Sequence, residues 1–404
     1  MNRNSGERWF KSLVWIPILL TGIGLCLIYS SRTPVSFSWS SLFFKQVLWA
    51  VIALAAGIVT AILPIRYLRQ NAYLLYGLSL LSLILVLLIG SGPASRWFDF
   101  GFFRLQPSEW AKAFFILALA RLFSDDEAVY LSPGQFFVSG LMMLIPFTLI
   151  LLQPDFGTSL VFPVIWLILV YWRGIPPVWW IFFWMPALGF VIGFHRLIFY
   201  GFICLLLIVI LMKRWPRLLW GSALLLTIIS GMASPRLWGH LRPYQQGRIL
   251  TFLGVQSDPF GSAYQVIQSK VAIGSGGLFG KGFMGGSQTQ LRFLPEHHTD
   301  FIFSVLGEEF GFLGTILVLG LFALWIFKGL QSMSRNPFPF LQNCAIGITG
   351  LAAFQIIVNI GMTVDLMPVT GLPLPFLSYG GSSLILFGFL AGLLINLNRR
   401  SNPL

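Results

Sequence analysis

Apolar runs of bilayer-spanning length are the strongest constraint this chain carries. They fall at about 12–30, 45–65, 72–90, 107–123, 136–152, 157–172, 177–195, 197–212, 216–232, 300–327, 340–363 and 378–397. The hydrocarbon core of a bilayer takes roughly 20 helical residues per crossing. The chain is 56% hydrophobic and 10% charged, where a soluble domain carries roughly 25% charged residues. The fold class is therefore an all-α polytopic membrane protein of about 12 transmembrane helices. It reads as a single transmembrane domain over 1–404 with a large extracytoplasmic loop at 233–299. The first run follows Arg3, Arg8 and Lys11, as a signal peptide would. It is longer than a usual signal core and lacks a small-x-small cleavage site, so it reads as a retained helix.

A net charge of +13 would suggest nucleic acid in a soluble protein. No long basic run or nucleic-acid motif accompanies it here, and basic residues hold membrane loops in the cytoplasm. With the N-terminus inside, the inner segments carry Arg3, Arg8, Lys11, Arg66, Arg69, Arg121, Arg173, Lys213, Arg214, Arg217, Lys328, Arg335, Arg399 and Arg400. The short outer loops carry Arg32, Lys45, Arg96, Arg104 and Arg196. Both termini are thus expected in the cytoplasm and 233–299 outside. Cys26, Cys204 and Cys344 sit singly in apolar runs with no CxxC spacing, which argues against a disulfide framework or zinc site. The segment 124–135 is a short acidic cytoplasmic connector. No internal repeat is evident, which weakens a transporter built from inverted halves.

Ionisable residues at membrane depth cost several kcal/mol unless paired or hydrated, and so mark functional sites. In QPSEWAKAFFILALARLF, Pro107 suits a first helical turn, and Glu109 and Lys112 are three apart on one face, where they can pair. They form either a structural ion pair or the wall of a polar cavity. Asp155 in LLQPDFGTS reads as part of a tight outer turn feeding a helix, with Thr158 as a candidate cap. Glu308 and Glu309 are adjacent, so at most one faces a given cavity. In MTVDLMPVTGLPLPFLSYGGSSL, Pro368, Pro373 and Pro375 exclude regular helix. That stretch must line a cavity or lie at the outer interface, with Ser378 to Ser383 opening the last helix and offering amides suited to an anion.

Between Gln245 and Phe310 lies a polar island. GSGGLFGKG resembles a phosphate loop only superficially, because its glycine spacing is wrong and Gly282 follows Lys281 where Ser or Thr is needed. Glu296, His297, His298 and Asp300 have metal-ligand side chains but no recognised metal spacing. One isolated acid, Asp258, stands among Arg236, Arg242, Arg248, Lys270, Lys281 and Arg292. A basic outer pocket suits an anionic lipid headgroup, and one carboxylate there could act as a general base. The bland alternative is an Asp-Pro turn.

At these residues the chain resembles the SEDS family (shape, elongation, division and sporulation). SDPFGSAYQVIQSKVAIGSGG, FLPEHHTDFIFSVLGEEFG, GFFRLQPSEWAK, QPDFGTS and PLPFLSYGGSS occur in the family's order and cover most of the chain. The wording of AIGSGGLFGKG and TGLPLPF is closer to the elongation branch than to the division branch. The resemblance implies a peptidoglycan glycosyltransferase of the bacterial cytoplasmic (inner) membrane. Such a protein polymerises lipid II, the undecaprenyl-diphosphate-linked disaccharide pentapeptide, at the outer leaflet for cell elongation and cell shape. It implies as partners a class B penicillin-binding protein and the membrane proteins of the elongation complex.

The resemblance also makes Asp258 the essential acid, matches Glu109 and Lys112 to the polar-cavity motif, and matches Arg104 to a basic position beside it. Lys45 stands where the family has arginine, which keeps the charge but loses the bidentate fork. Asp155, Lys270 and Ser378 complete the candidate substrate-binding set. No cofactor is implied with certainty; a divalent cation, magnesium or manganese, is a candidate. The family core has ten spans, so the surplus near 197–232 reads as an inserted hairpin, which leaves the side of every later loop unchanged. The rival functions are a lipid-linked precursor flippase or transporter, a non-catalytic scaffold, and a division-associated polymerase of the same family.

Overall fold

The computed structural model describes residues 3–31, 41–90, 96–99, 101, 103–125, 130–212, 217–241, 243–255, 263–291 and 293–399. In chain order its helices are α1 (Arg3–Ser30), α2 (Leu42–Ile62), α3 (Ile65–Ile89), α4 (Pro107–Leu122), α5 (Pro133–Leu152), α6 (Phe156–Arg173), α7 (Ile181–Ile192), α8 (Arg196–Met212), α9 (Arg217–His240), α10 (Pro243–Phe252), α11 (Tyr264–Ser275), α12 (Ser287–Gln290), α13 (Ile302–Arg335), α14 (Pro339–Thr363) and α15 (Gly381–Arg399). A short antiparallel hairpin, β1 (Phe98–Asp99) with β2 (Arg104–Leu105), precedes α4. Each apolar run of the sequence has become a helix, and the class is polytopic helical membrane protein. Among the described residues eight helices are long and apolar enough to cross a bilayer, namely α1, α2, α3, α5, α6, α13, α14 and α15. The expectation of about 12 spans rested on runs that include α4, α7 and α8, which have 16, 12 and 17 residues.

The chain forms two compact units, Met1–Arg173 with Pro259–Leu404, and Gly174–Asp258. In the second, α7 packs on α9 through small residues: a Cβ on Gly193 would strike the Gly231 carbonyl, and one on Gly231 would strike Phe199 of α8. Such small-residue contacts let helix backbones approach where no hydrophobic effect drives them together.

The first unit is held by the same device. Gly388 and Gly392 of α15 lie against the backbone of Ala53 and Gly57 in α2. Asn396 then donates to the Thr60 and Leu63 carbonyls, both at 2.6 Å, closing the C-terminal end of α2. Two helix N-termini, those of α2 and α5, are capped by side chains. Ser41 accepts from the Phe44 amide, and Ser132 with Gln135 forms a reciprocal capping box on α5.

The apolar stretch Ile302–Ser334 of α13 has 33 residues, or about 50 Å of helix against a core of about 30 Å. The excess is resolved by a break at Gly311, whose φ is 64° and ψ −160°. A broken helix exposes amides and carbonyls that hydrocarbon cannot satisfy. The glycine loop after α11 supplies the partners. Lys281 N and Gly282 N donate to the Glu308 and Glu309 carbonyls, both at 3.0 Å. Phe312 N and Leu313 N donate to Gly277 O and Leu278 O at 2.9 and 3.1 Å. The glycines of GSGGLFGKG therefore serve this pairing: a Cβ on Gly276 or Gly280 would collide with the Gly307 or Glu309 carbonyl.

Two glycine substitutions separate this role from ordinary helix propensity. Gly280 has φ +80° and faces backbone, whereas Gly274, within α11, faces open space. Gly280→Ala should lower thermal stability in detergent by about 1–2 kcal/mol or more. Gly274→Ala should raise it by up to about 1 kcal/mol.

Candidate active site

Helix α4 has 16 residues, or about 24 Å, and falls short of a full crossing. Its register against α14 shows where the shortfall lies. Asn343 donates to the Ala120 carbonyl at 3.4 Å, and a Cβ on Gly347 would meet Ile116. Continued antiparallel at four residues per step, this register sets Gln355 level with Ser108. The head of α4 is thus about 12 Å short of the C-terminal end of α14, at roughly 1.5 Å per residue. Above it lies the segment β2–Gln106 rather than helix.

At this recessed head, Lys112 Nζ donates to Glu109 Oε1 at 2.7 Å, with side-chain exposures of 0% and 3%. Glu109 Oε2 and Ser108 Oγ, both buried, have no hydrogen-bond partner within the described protein. A buried ion pair is weak evidence for stability, because the desolvation of both charges offsets their attraction. One with a spare carboxylate oxygen fits a polar binding cavity better than a structural clamp.

Asp155 lies beside it. Its Oδ1 accepts from the Thr158 amide at 3.2 Å and its Oδ2 from Gln106 Nε2 at 3.3 Å, with Arg96 Nη1 at 3.9 Å. Asp155, not Thr158, therefore caps α6, because the helix begins at Phe156 and a cap must precede the amides it binds. Arg96 also donates to the carbonyls of Gln153 and Pro154. It fastens the QPD turn to the recess, a role sequence reading missed because nothing near Arg96 repeats.

The proline-rich segment before α15 closes the other side. Gln46, buried in the first turn of α2, donates to the Ser378 carbonyl and accepts from Gly380 N, both at 3.2 Å. Ser378 Oγ donates to Thr299 O at 2.6 Å and accepts from Leu374 N at 2.8 Å. Its hydroxyl is thus used in holding the turn. Ser382 Oγ donates to the Arg104 carbonyl and accepts from Gln106 N, both at 3.2 Å, tying β2 to the start of α15. Asn359 donates to Asp300 O and Leu372 O at 2.9 and 2.8 Å.

The other candidates are placed further out. The Arg104 guanidinium is exposed and pairs with Asp99 at 3.0 Å. The Gly101 amide and then Arg104 hold the Asp99 carboxyl below its ordinary range. Lys270 of α11 is exposed and pairs with Asp365 at 2.7 Å. Lys45 is half-buried in the first turn of α2 and makes no ion pair with a described residue. Asp258 lies outside the described residues. Of the adjacent acids, Glu308 accepts from Lys281 Nζ at 2.8 Å, from Gln288 N at 2.9 Å and from the amide and hydroxyl of Thr289. Its role is to pin α12 to α13. His297 places its ring nitrogens against the Leu294 and Ser31 carbonyls.

Comparison with known proteins bears on this arrangement. The model of the FtsW/RodA/SpoVE cell cycle proteins matches residues 11–203 and 193–403. The peptidoglycan glycosyltransferase RodA of Treponema pallidum is 34% identical, over 98% of this chain and 99% of its own. Stage V sporulation protein E of Bacillus subtilis is 33% identical over 96% of both chains. The peptidoglycan glycosyltransferase MrdB of Escherichia coli is 32% identical over 95% of this chain and 94% of its own. A chain from a solved peptidoglycan synthase complex, described as coordinating polymerization and crosslinking, superposes with a TM-score of 0.70 at 32% identity, covering 96% of each chain. The rod shape determining protein RodA of Thermus thermophilus gives 0.63 at 27% identity, covering 96% of this chain and 95% of its own. With likeness running from end to end in both sequence and fold, the chain belongs to the FtsW/RodA/SpoVE cell cycle protein family, the SEDS family that its five motifs indicated.

Proposed function

We propose that this protein is a peptidoglycan glycosyltransferase that polymerises lipid II into glycan strands at the outer face of a bacterial cytoplasmic membrane during elongation. The observation that carries the reading is end-to-end relatedness to proteins named for that activity, joined to a buried ion pair with a spare carboxylate oxygen at the recessed head of α4. Both termini lie in the cytoplasm in this reading. A class B penicillin-binding protein supplies crosslinking; the related chain in the peptidoglycan synthase complex supports that partner. Other membrane proteins of the elongation complex complete the assembly. A transporter would place its polar groups near the bilayer midplane on discontinuous helices. Here they gather around the head of α4, the QPD turn and the segment before α15.

The reaction inverts the donor sugar. Asp258 takes the proton from the 4-hydroxyl of the acceptor GlcNAc. That oxygen forms a bond to C1 of the donor MurNAc as the bond from C1 to the diphosphate oxygen breaks, and the lipid diphosphate leaves with the electron pair. Cationic groups, drawn from Lys45, Arg104, Lys112 and Lys270, oppose the charge that develops on the leaving group. Of these, Lys112 is the most desolvated, so its field is least screened. A divalent cation, magnesium or manganese, is a further candidate for that charge. Among the described residues no group of three His, Cys, Asp or Glu side chains could hold one, and no step here runs through it.

Asp258→Asn should cut polymerisation of purified lipid II by about 10²–10⁴-fold, the usual contribution of a general base. A folded variant with full activity removes the assignment. For the buried pair, Glu109→Gln or Lys112→Met alone should cost about 3–5 kcal/mol of stability by stranding the other charge. The double variant should regain most of that stability but no activity, as read by thermal unfolding and glycan gels together.

A further inference from the structure

Gln355 of α14 is fully buried, and neither its amide nitrogen nor its carbonyl oxygen has a hydrogen-bond partner within the described protein. A buried amide left unpaired at both ends costs free energy that an apolar side chain of the same shape would not. The α4–α14 register, fixed by Asn343 on Ala120 and Gly347 on Ile116, sets this amide level with Ser108. Ser108 Oγ and Glu109 Oε2 are likewise buried and unpartnered. One turn further out on the same helix, Asn359 is buried and uses its amide nitrogen on Asp300 O and Leu372 O. Its Oδ1 has no partner. Gln355 and Asn359 therefore form a polar stripe that rises from the ion pair to the loops around Ser378.

We infer that Gln355 is a substrate-facing residue of the site at the head of α4, holding an uncharged donor–acceptor group of the sugar, an acetamido or hydroxyl. This rests on the glycosyltransferase reading above. The ligand class follows from the inventory of groups. A carboxamide has two donors and one acceptor oxygen, so a partner that both donates and accepts satisfies both ends. A diphosphate only accepts and would leave the Gln355 carbonyl without a donor. The neighbouring Glu109–Lys112 pair already supplies charge of both signs, so a neutral amide adds recognition rather than field.

The test compares Gln355→Met, which keeps length and removes both polar ends, with Gln355→Asn, which keeps the amide but shortens its reach. Each is measured for thermal unfolding, for the shift in unfolding temperature on adding lipid II, and for kcat and KM in lipid II polymerisation. The expected result is a Met variant at least as stable as the wild type without lipid II. Its stabilisation by lipid II should be reduced and its kcat/KM about tenfold lower or less, as loss of a buried hydrogen bond gives. The Asn variant should lie between. A Met variant that loses stability overturns the inference, because a structural amide behaves so. A stable Met variant with unchanged kcat/KM and an unchanged lipid II shift overturns it as well. A wild type that is stabilised by lipid II yet forms no polymer defeats the glycosyltransferase reading instead, and the lipid II shifts of the variants still decide the placement of Gln355.

Discussion

In hydrocarbon an unpaired backbone amide or carbonyl costs several kcal/mol, and the irregular backbone of the first unit is arranged around that constraint. The break at Gly311 in α13 is admissible because the loop from Gly277 to Gly282 pairs with four groups it frees. The non-helical stretch before α15 is admissible because Gln46 of α2 and Asn359 of α14 bond to its backbone and its own Ser378 takes the Leu374 amide. Even the C-terminal carbonyls of α2 are taken by an amide from α15. Irregular backbone is thereby accommodated within a helical bundle.

The side chains at the head of α4 run against the same constraint. Ser108, Glu109 and Gln355 bury polar atoms without a hydrogen-bond partner among the described residues, as do Gln288, Glu309, Trp325, Asn359, Thr370 and Asn396 elsewhere in the protein. Proteins depart from such rules chiefly at functional sites. The contrast with Glu308 is instructive. That acid is also buried, but it takes up a lysine, two amides and two hydroxyls. It is a structural joint, whereas the pair at Glu109 and Lys112 retains an open valence. Burial alone would have ranked the two acids together; the count of satisfied atoms separates them.

Much of this was legible in the sequence. Hydropathy placed every helix of spanning length, because bilayer thickness imposes one run length on all of them. The Glu109–Lys112 pairing followed from a spacing of three on one helix. Boundaries were less legible: α3 begins at Ile65, well before the run read from 72, since its first turns carry Arg66, Arg69 and Gln70. The spacing of GSGGLFGKG already excludes a phosphate loop, but that its glycines are a backbone partner for α13 is a relation between segments that no local pattern reveals. Gln46, Asn359 and Gln355 passed unnoticed for a related reason. A single amide in an apolar helix has no periodicity, and its meaning depends on which atoms face it across the bundle. Asp258, on which the catalytic proposal rests, was drawn from motif and charge and lies outside the described residues.

The central claim is that the recess at the head of α4 opens to the outer face and receives the lipid-linked sugar. It is tested most directly by replacing the three cysteines, Cys26, Cys204 and Cys344, and introducing Ser108→Cys. A membrane-impermeant maleimide is then added to sealed vesicles of known orientation. The account predicts labelling from the outer side and protection by lipid II. Labelling only from the cytoplasmic side, or labelling from outside that lipid II leaves unchanged, would contradict it.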